Sequence, residues 1–273
     1  MKAKDMSQEE RLEYLIQYLC RDSVRYKGLR VEKAERRATL RSLMNIRMPG
    51  PVSEEFLEIQ DAFLQQEAAE KGIVQVEAIP TIQEAYGING KLGSRISLWQ
   101  GDITRLSVDA IVNAANSGML GCFVPCHGCI DNAIHSAAGL GLREECGEIM
   151  ERQGYEEATG KAKITGAYNL PCRYVLHTVG PIVYEALTEH HCRQLSSCYE
   201  SCLSLAEKNG LDSVAFCCIS TGEFHFPNEK AAEIAVETVR EWLEHSRIER
   251  VVFNVFKDED LEIYEKVLRD RLQ

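Results

Sequence analysis

The apolar positions of the first 90 residues repeat with the period of amphipathic helices. Ser7 and Glu10 have the spacing of a capping box, which marks the start of a first helix. The apolar face of that helix comprises Leu12, Leu15, Ile16 and Leu19. A second helical stretch covers about residues 29–47, and Ser53 begins a third helix after a break rich in Pro and Gly. We therefore predict that residues 1–90 form a helical N-terminal extension, which packs on the domain behind it.

From about residue 94 the pattern changes to short apolar strands that alternate with longer amphipathic helices. The predicted strands are 95–100, 108–115, 163–168, 174–179, 214–220 and 250–256. The predicted helices lie at about 130–138, at 188–209, after Asn228, which we expect to be the cap, and after Asp258. Continuous apolar runs such as 214–220 are typical of strands that are buried on both faces of a sheet. The alternation predicts an α/β fold with a largely parallel sheet over residues 91–273.

Composition and charge exclude several classes of partner and location for this chain. It has 273 residues, 45% of them hydrophobic, and a formal net charge of −11. Its field repels phosphate backbones, so we expect no non-specific binding of nucleic acid. No apolar run is long enough for a membrane span, and the N-terminus lacks the apolar core of a signal peptide. The 11 cysteines, an odd number, fit a reduced, cytoplasmic setting. Their spacing predicts that Cys198, Cys202, Cys217 and Cys218 are core residues.

The stretch from Gly121 to Asn132 combines three thiols and one imidazole. Cys122, His127 and Cys129 are spaced C-x4-H-x-C, which is not the spacing of a zinc finger. Three ligands without a fourth leave one coordination position open, as in catalytic zinc sites. Cys126 is the alternative: as a fourth ligand it would close the site and make the metal structural. The spacing leaves both arrangements open.

Three further segments follow predicted strands. They are Gly101-Asp102-Ile103-Thr104, Asn113–Gly118 and Ser220–Asn228. In parallel α/β folds, ligands bind beyond the carboxyl ends of the strands. The Asn amides of the second segment can hydrogen-bond sugar hydroxyls or simply cap a turn, and backbone N–H groups of the third can bind a phosphate. The third segment has neither the P-loop nor the dinucleotide-binding glycine pattern, so spacing alone names no nucleotide.

Taken together, these segments resemble the macrodomain family. The resemblance is carried by Gly101–Thr104, by Val108–Ser117 and by Ile219–Gly222 ahead of a helix, and it covers about residues 95–272. Where many macrodomains have a glycine-rich run, this chain has the Cys/His stretch. That replacement is similar to the zinc-containing bacterial subgroup, which also has a helical N-terminal extension. The resemblance implies a three-layer α/β/α macrodomain with a mixed, largely parallel sheet, the helical extension and one zinc ion per chain.

The resemblance also implies a role for each matching residue. Asp102 and Ile103 would hold the adenine of ADP-ribose. The diphosphate would be wrapped, mainly by backbone N–H groups, by Ser220, Thr221, Gly222, Glu223 and Phe224. The implied zinc ligands are Cys122, His127 and Cys129. Asn116 would contact the distal ribose, with Asn113 nearby. The implied ADP-ribose-binding residues also include Cys122, Cys129, Ile130 and Asp131, and the implied catalytic residues are Asn113, Asn116 and Asp131.

Two side chains near the Cys/His stretch have more than one interpretation. Asp131 would orient a metal ligand or the distal ribose, or it is simply an acid at a helix N-terminus. His135 follows one turn later, and we predict a packed or capping histidine rather than a ligand.

The implied reaction is zinc-dependent hydrolysis of the bond between C1 of the distal ribose and an Asp or Glu side chain of a mono-ADP-ribosylated protein. O-acetyl-ADP-ribose presents a similar ester to the same site. Zinc would activate water or position the ribose. The subgroup is linked to a sirtuin-type transferase and to a lipoylated carrier protein. One alternative is a reader that binds ADP-ribose and uses zinc only to fold the loop. A thiol redox protein is disfavoured, because Cys126-x-x-Cys129 lies inside the proposed metal loop.

Overall fold

A six-stranded sheet organises the larger part of the chain in the computed structural model, which describes residues 3–21, 23 and 25–272. The strands of these residues are β1 (Val74–Gln75), β2 (Ile96–Gln100), β3 (Leu106–Ser107), β4 (Ala110–Ala115), β5 (Ala162–Gly166), β6 (Tyr174–Val179), β7 (Ser213–Phe216) and β8 (Arg250–Val255). The α-helices are α1 (Gln8–Arg21), α2 (Arg36–Ile46), α3 (Glu54–Lys71), α4 (Ile82–Tyr86), α5 (Ile130–Ala138), α6 (Leu140–Gln153), α7 (Glu189–Lys208), α8 (Asn228–Leu243) and α9 (Asp258–Leu272).

The order of the strands in the large sheet is β2-β8-β7-β4-β6-β5. Every neighbouring pair is parallel except β5 and β6, which are antiparallel. The central strands are buried on both faces: Val175, Leu176, Val214, Ala215 and Val252 have no exposed surface. The mixed, mostly parallel sheet that the sequence predicts is thus confirmed.

Two consecutive residues of β6 show that helices cover both faces of this sheet. His177 faces α5 and α6, where it lies near the thiol of Cys146. Thr178 points to the other face and interacts with Cys198 of α7. The helices α8 and α9 continue the layer that α7 begins. The result is a three-layer arrangement.

Several sequence-based boundaries need correction. The strand predicted at 214–220 ends at Phe216, and the chain then turns at Ser220, whose left-handed backbone (φ 66°) is incompatible with a strand. Asn228 does not cap α8: Pro227 is the N-cap, and the amide of Asn228 donates to Asp260 Oδ1 at 2.8 Å. Helix α6 was not predicted, since the buried Arg143 interrupts its apolar face.

The four cysteines predicted to be core residues lie in the hydrophobic core of the sheet or pack against that core. Cys198 and Cys202 are fully buried, and Cys217 is buried as well. Cys218 keeps some exposure but packs against the same core. Their thiols are therefore packing groups.

The helices α1, α2 and α3 have a core of their own. Its fully buried members include Leu15, Leu40 and Phe56, and it reaches Leu140 of α6. Both predicted helix starts are confirmed, because Ser7 and Glu10 form reciprocal hydrogen bonds and Ser53 accepts from the N–H of Phe56. Residues 74–90, which the sequence grouped with these helices, instead bury Ile79, Ile82 and Ile88 in the core of the sheet. None of the helices in the described ranges is long and apolar enough to cross a membrane.

Candidate active site

The carboxyl ends of four parallel strands bring the predicted segments to one edge of the sheet. Asp102 follows β2, Asn116 follows β4, Ser220 follows β7 and Phe256 follows β8. The Cys/His stretch leads from the same edge into α5, which packs on β4. Residues more than a hundred positions apart in the chain thus lie in one region.

A buried carboxylate lies between β4 and α5. Asn113 donates from Nδ2 to Asp131 Oδ1 at 2.8 Å, and Asn116 donates to Asp131 Oδ2 at 3.2 Å. Burial raises the pKa of Asp131 to about 6, against the opposing effects of the Asn113 hydrogen bond and the nearby Arg143 charge. The carboxylate is therefore held in one orientation by two amides, with a proton affinity matched to near-neutral pH.

Asn113 is also held by a hydrogen-bonded cluster formed by His177 and Thr165 on the neighbouring strands. His177 contacts the Asn113 amide through Nδ1 at 3.1 Å and Thr165 Oγ1 through Nε2 at 2.9 Å. Burial lowers the pKa of His177 to about 4, so the ring is neutral at pH 7. Because the Asn113 amide is a donor, Nδ1 accepts and the proton lies on Nε2. Cys146 and His135 lie close to this ring, but both nitrogens of His177 are already hydrogen-bonded.

His135 is packed, as the sequence predicts. It is buried, and Nε2 lies 3.6 Å from Asp131 Oδ1. Neither ring nitrogen has a hydrogen-bond partner among the described residues. Gly121 lies against the ring with φ of 80°, and a Cβ there would approach the imidazole to 2.7 Å. This close approach requires a glycine immediately before the first cysteine of the Cys/His stretch.

Cys122, His127 and Cys129 form a group that fits a zinc ion. Their ligand atoms all lie within 4.8 Å of one another. The Nδ1 atom of His127 is buried without a partner among the described residues, as expected of an atom that binds a metal. Burial, and to a smaller extent the neighbouring Cys122 thiol, raises the pKa of Cys129 to about 12, and a bound cation would favour the thiolate. Two thiols and one imidazole are a donor set that suits zinc.

Cys126 lies outside this group. Its thiol is 3.2 Å from Ser42 Oγ and donates to the carbonyl of Ala38 at 3.3 Å, and both of these partners belong to α2. Its backbone is left-handed, with φ of 51°. Three ligand atoms are therefore grouped together, and the fourth candidate contacts the N-terminal extension.

The segment after β7 forms a loop with free backbone donors. Among the described residues, no acceptor is bonded to the N–H groups of Thr221, Gly222, Glu223 or Phe224. The loop is closed by bonds from Phe226 N to Ser220 O at 3.0 Å and from Val183 N to Phe224 O at 2.9 Å. Consecutive unpaired N–H groups in a tight turn are a favourable site for an anion.

Asp102 and Ile103 lie at the far end of this edge. Asp102 Oδ1 accepts from Thr104 N at 3.0 Å and from its hydroxyl at 2.7 Å, which fixes the turn. Ile103 has only 1% of its surface exposed, and its side chain packs in the core of the sheet. Phe256 is 75% exposed beside this turn, where Asn254 Nδ2 donates to Gly101 O at 2.9 Å. A large exposed aromatic ring next to a polar turn is typical of a site that stacks a base.

Comparisons with known proteins agree with this geometry. The Macro domain family model matches residues 112–235. A protein-ADP-ribose hydrolase of Treponema medium is 50% identical over 266 residues, which are 96% of this chain and 100% of that protein. The chain belongs to the macro domain family. A protein-ADP-ribose hydrolase of Staphylococcus aureus strain MSSA476 is 47% identical over 228 residues, covering 83% of this chain and 82% of that one.

A solved macrodomain also matches this chain in three dimensions. The Trypanosoma brucei macrodomain in complex with ADP-ribose has a TM-score of 0.63 and 31% sequence identity. The match covers 88% of this chain and 97% of that one. The family and the fold that the sequence predicts are thereby confirmed.

Two features of this macrodomain are not among the predictions from its sequence. Phe256 was read as the end of a strand, although it follows β8 and is exposed. The contacts of the Cys/His stretch with α2 were not foreseen, because they join residues more than 80 positions apart. An exposed aromatic at the carboxyl end of a strand would have been a signal for Phe256, whereas the α2 contacts have no local signal.

Proposed function

We propose that this macrodomain is a zinc-dependent hydrolase that removes mono-ADP-ribose from Asp and Glu side chains of proteins. The observation that carries the proposal is the position of the Cys122–His127–Cys129 group, on the loop that leads into the helix of Asp131. A metal site and a pKa-shifted carboxylate in one region are typical of hydrolytic centres. Relatives named protein-ADP-ribose hydrolase, at 46–50% identity, support the hydrolysis of protein-linked ADP-ribose.

The chain offers one binding element for each part of ADP-ribose. The backbone N–H groups of residues 221–224 would bind the diphosphate without any lysine or arginine, which suits an acidic protein. Phe256 would stack on the adenine, and Asp102 would accept a hydrogen bond from it. The distal ribose would then lie between Asn116 and the Cys/His group, contacted also by Ile130. Binding at several points along the ligand places the scissile bond at one end.

Asn113, Asn116 and Asp131 would act together at the distal ribose. The two amides hold the carboxylate, and Asn113 is in turn held by the neutral His177. Above about pH 6 the carboxylate is ionised and accepts a proton or a hydrogen bond from a ribose hydroxyl or a water. Bound to Cys122, His127 and Cys129, zinc would supply Lewis acidity and a water of lowered pKa. An acyl ester is the favoured substrate because a carboxylate is a better leaving group than an alcohol or an amide.

The test is release of ADP-ribose from a mono-ADP-ribosylated protein. A lipoylated carrier protein modified by a sirtuin-type transferase provides the target that the family resemblance suggests, and O-acetyl-ADP-ribose provides a small ester. The untreated protein should hold one zinc per chain. Chelation, or Cys129→Ala, should abolish release while ADP-ribose still binds. The control is Cys192→Ala, which alters a partly exposed thiol on α7 that is not part of the Cys/His group. Full activity without metal would refute the zinc role. Binding without release by the untreated, zinc-containing wild type would identify a reader.

A further inference from the structure

Helix α2 of the N-terminal extension contacts the metal loop, which we define as residues 122–129. Arg41 donates from Nη2 to the carbonyl of His127 at 3.0 Å. Its Nε and Nη2 atoms both donate to Asn132 Oδ1, at 3.0 and 2.6 Å. One guanidinium thus connects the backbone of a proposed zinc ligand to the first turn of α5.

Asn132 itself hydrogen-bonds two parts of the metal loop, Val124 and Cys129. It is fully buried, and its backbone N–H donates to Cys129 Sγ at 3.4 Å. Its side-chain amide donates to the carbonyl of Val124 at 2.9 Å. Arg41 therefore fixes the residue that supports the Cys129 sulfur and holds the middle of the loop. Partners of this kind orient metal ligands and raise metal affinity.

A second buried guanidinium ties the beginning of the loop to the end of α2. Arg143 of α6 donates from Nη1 to the carbonyls of Met44, Asn45 and Arg47, at 2.9, 2.6 and 2.7 Å. Its Nη2 reaches the carbonyl of Cys122 at 3.4 Å. The last carbonyls of α2, which lack partners inside the helix, are satisfied by the same side chain that contacts the first zinc ligand.

Cys126 is held against α2 through three separate contacts. Ser42 and the Ala38 carbonyl engage its thiol, and Asn45 Oδ1 accepts its backbone N–H at 2.9 Å. Asn45 is itself buried and donates to Ser136 at 3.0 Å. The left-handed backbone of Cys126 is unfavourable for a residue with a side chain, so it persists because its surroundings fix it.

We propose that α2 keeps the zinc site open by positioning the three ligands and holding Cys126 away from the metal. The inference rests on the proposed zinc site. Cys126 adjoins one proposed ligand and precedes another by three residues, so a small movement of the loop would bring a third thiol to the ion. Zinc accepts four thiolate or imidazole ligands readily, and a fourth protein ligand converts an open site into a closed, structural one. Arg41, Ser42 and Asn45 are then positioning residues of the active site.

The positioning role of Arg41 is tested by zinc affinity in the full-length protein, measured by competition with a chromogenic chelator. Arg41→Ala should weaken zinc binding about 10- to 100-fold, as for other residues that support metal ligands. Arg37→Ala is the matched control, because it removes the same charge one turn earlier on α2, where Arg37 pairs with Glu67 instead of the loop. Equal zinc affinities in the two variants would overturn the role of Arg41.

The restraint of Cys126 is tested by cobalt substitution, because thiolate-to-cobalt absorption reports the number of bound thiolates. The cobalt-substituted wild type should show two bound thiolates. The double variant Ser42→Ala and Asn45→Ala should show three and lose ADP-ribose release. Adding Cys126→Ser to it should return the spectrum to two thiolates and restore release, which a general loss of stability could not do.

Three results would count against this restraint. A two-thiolate spectrum with full activity in the double variant, or no recovery with Cys126→Ser, overturns it. If the double variant fails to fold, Ser42→Ala alone removes one contact of the thiol and should show a partial shift toward three thiolates; a wild-type spectrum would overturn the restraint. A wild type that binds neither zinc nor cobalt refutes the proposed function itself, whereas metal binding with unchanged variants refutes only the inference about α2.

Discussion

Asn113 donates a 2.8 Å hydrogen bond to Asp131, and both side chains are almost completely buried. The amide comes from β4 and the carboxylate from α5, so the pair exists only because that helix packs on that strand. Asn116 occupies the second carboxylate oxygen at 3.2 Å. Two amide donors on one buried carboxylate define its orientation, and this arrangement leads to the first prediction.

Replacing Asp131 with Asn should lower the rate of ADP-ribose release by about 100-fold or more, which is the usual contribution of a positioned acid or base. The new amide nitrogen would face the amide nitrogen of Asn113 or Asn116, so the side chain would also lose its orientation. ADP-ribose affinity, measured by titration calorimetry, should change little. Asp109→Asn is the control, since it alters a largely buried carboxylate just before β4, at the amino-terminal edge of the sheet, where it accepts from the N–H groups of Asp212 and Ser213. A wild-type rate in Asp131→Asn would exclude a catalytic role for the carboxylate.

Replacing Gly180 with Ala should weaken ADP-ribose binding about tenfold, a loss of about 1.4 kcal/mol. A Cβ at this position would lie 2.0 Å from Ser220 Oγ, and with that hydroxyl rotated away it would still lie 3.0 Å from Ile219 Cγ2 and 3.3 Å from Ser220 Cβ. The loop after β7, whose N–H groups at residues 221–224 are proposed to bind the diphosphate, must then shift. Gly166→Ala is the matched control, because its nearest neighbour is 3.6 Å away. The dissociation constants of the two variants for ADP-ribose decide the point, and equal values would contradict the proposed role of the loop.

Replacing Phe256 with Ala should reduce ADP-ribose affinity by about 1–3 kcal/mol, the usual contribution of one aromatic ring stacked on a base. Phe256→Trp keeps a stacking surface and should retain most of the affinity. Because the ring is 75% exposed, the thermal stability of both variants should stay near that of the wild type. Ribose 5-phosphate, which lacks adenine, should bind all three proteins equally. If Phe256→Ala binds ADP-ribose as tightly as the wild type, the adenine lies elsewhere.

The contribution of His177 to the stability of the protein should fall as the pH drops from about 6.5 toward 4, opposite in sign to that of Asp131, whose raised pKa favours the folded state below about 6. Burial lowers the pKa of His177 from 6.5 to about 4, so in this interval the unfolded chain binds a proton that the folded chain excludes. A difference of roughly 2.5 pKa units corresponds to about 3 kcal/mol at the acidic end. His177→Asn should flatten this part of the profile, and the exposed His245→Asn should not. Urea unfolding at several pH values measures the free energy of unfolding of the wild type and of each variant. Parallel pH profiles for the wild type and His177→Asn would contradict the prediction.

Local patterns in the sequence were sufficient for the fold class and for the order of the candidate site segments along the chain. The alternation of short apolar runs and amphipathic helices predicted the mostly parallel sheet, because burial on one or both faces imposes a period on the chain. The family motifs placed Asp102, Asn116 and Ser220 after strands, where the structure has them, whereas Asn113 lies inside β4. Element ends were less predictable: Asn228 has the residue type of a cap, but Pro227 occupies the cap position.

The Cys/His stretch separates what the sequence determined from what only the tertiary structure decided. Spacing within eight residues was enough to name Cys122, His127 and Cys129 as candidate ligands, because side chains so close in the chain can meet in a single loop. It left Cys126 open, since its partners Ser42 and Ala38 lie 84 and 88 positions earlier. A thiol's choice between a metal and a neighbouring helix depends on which groups surround it after folding. Only the packing of the extension against α5 and α6 fixes those groups.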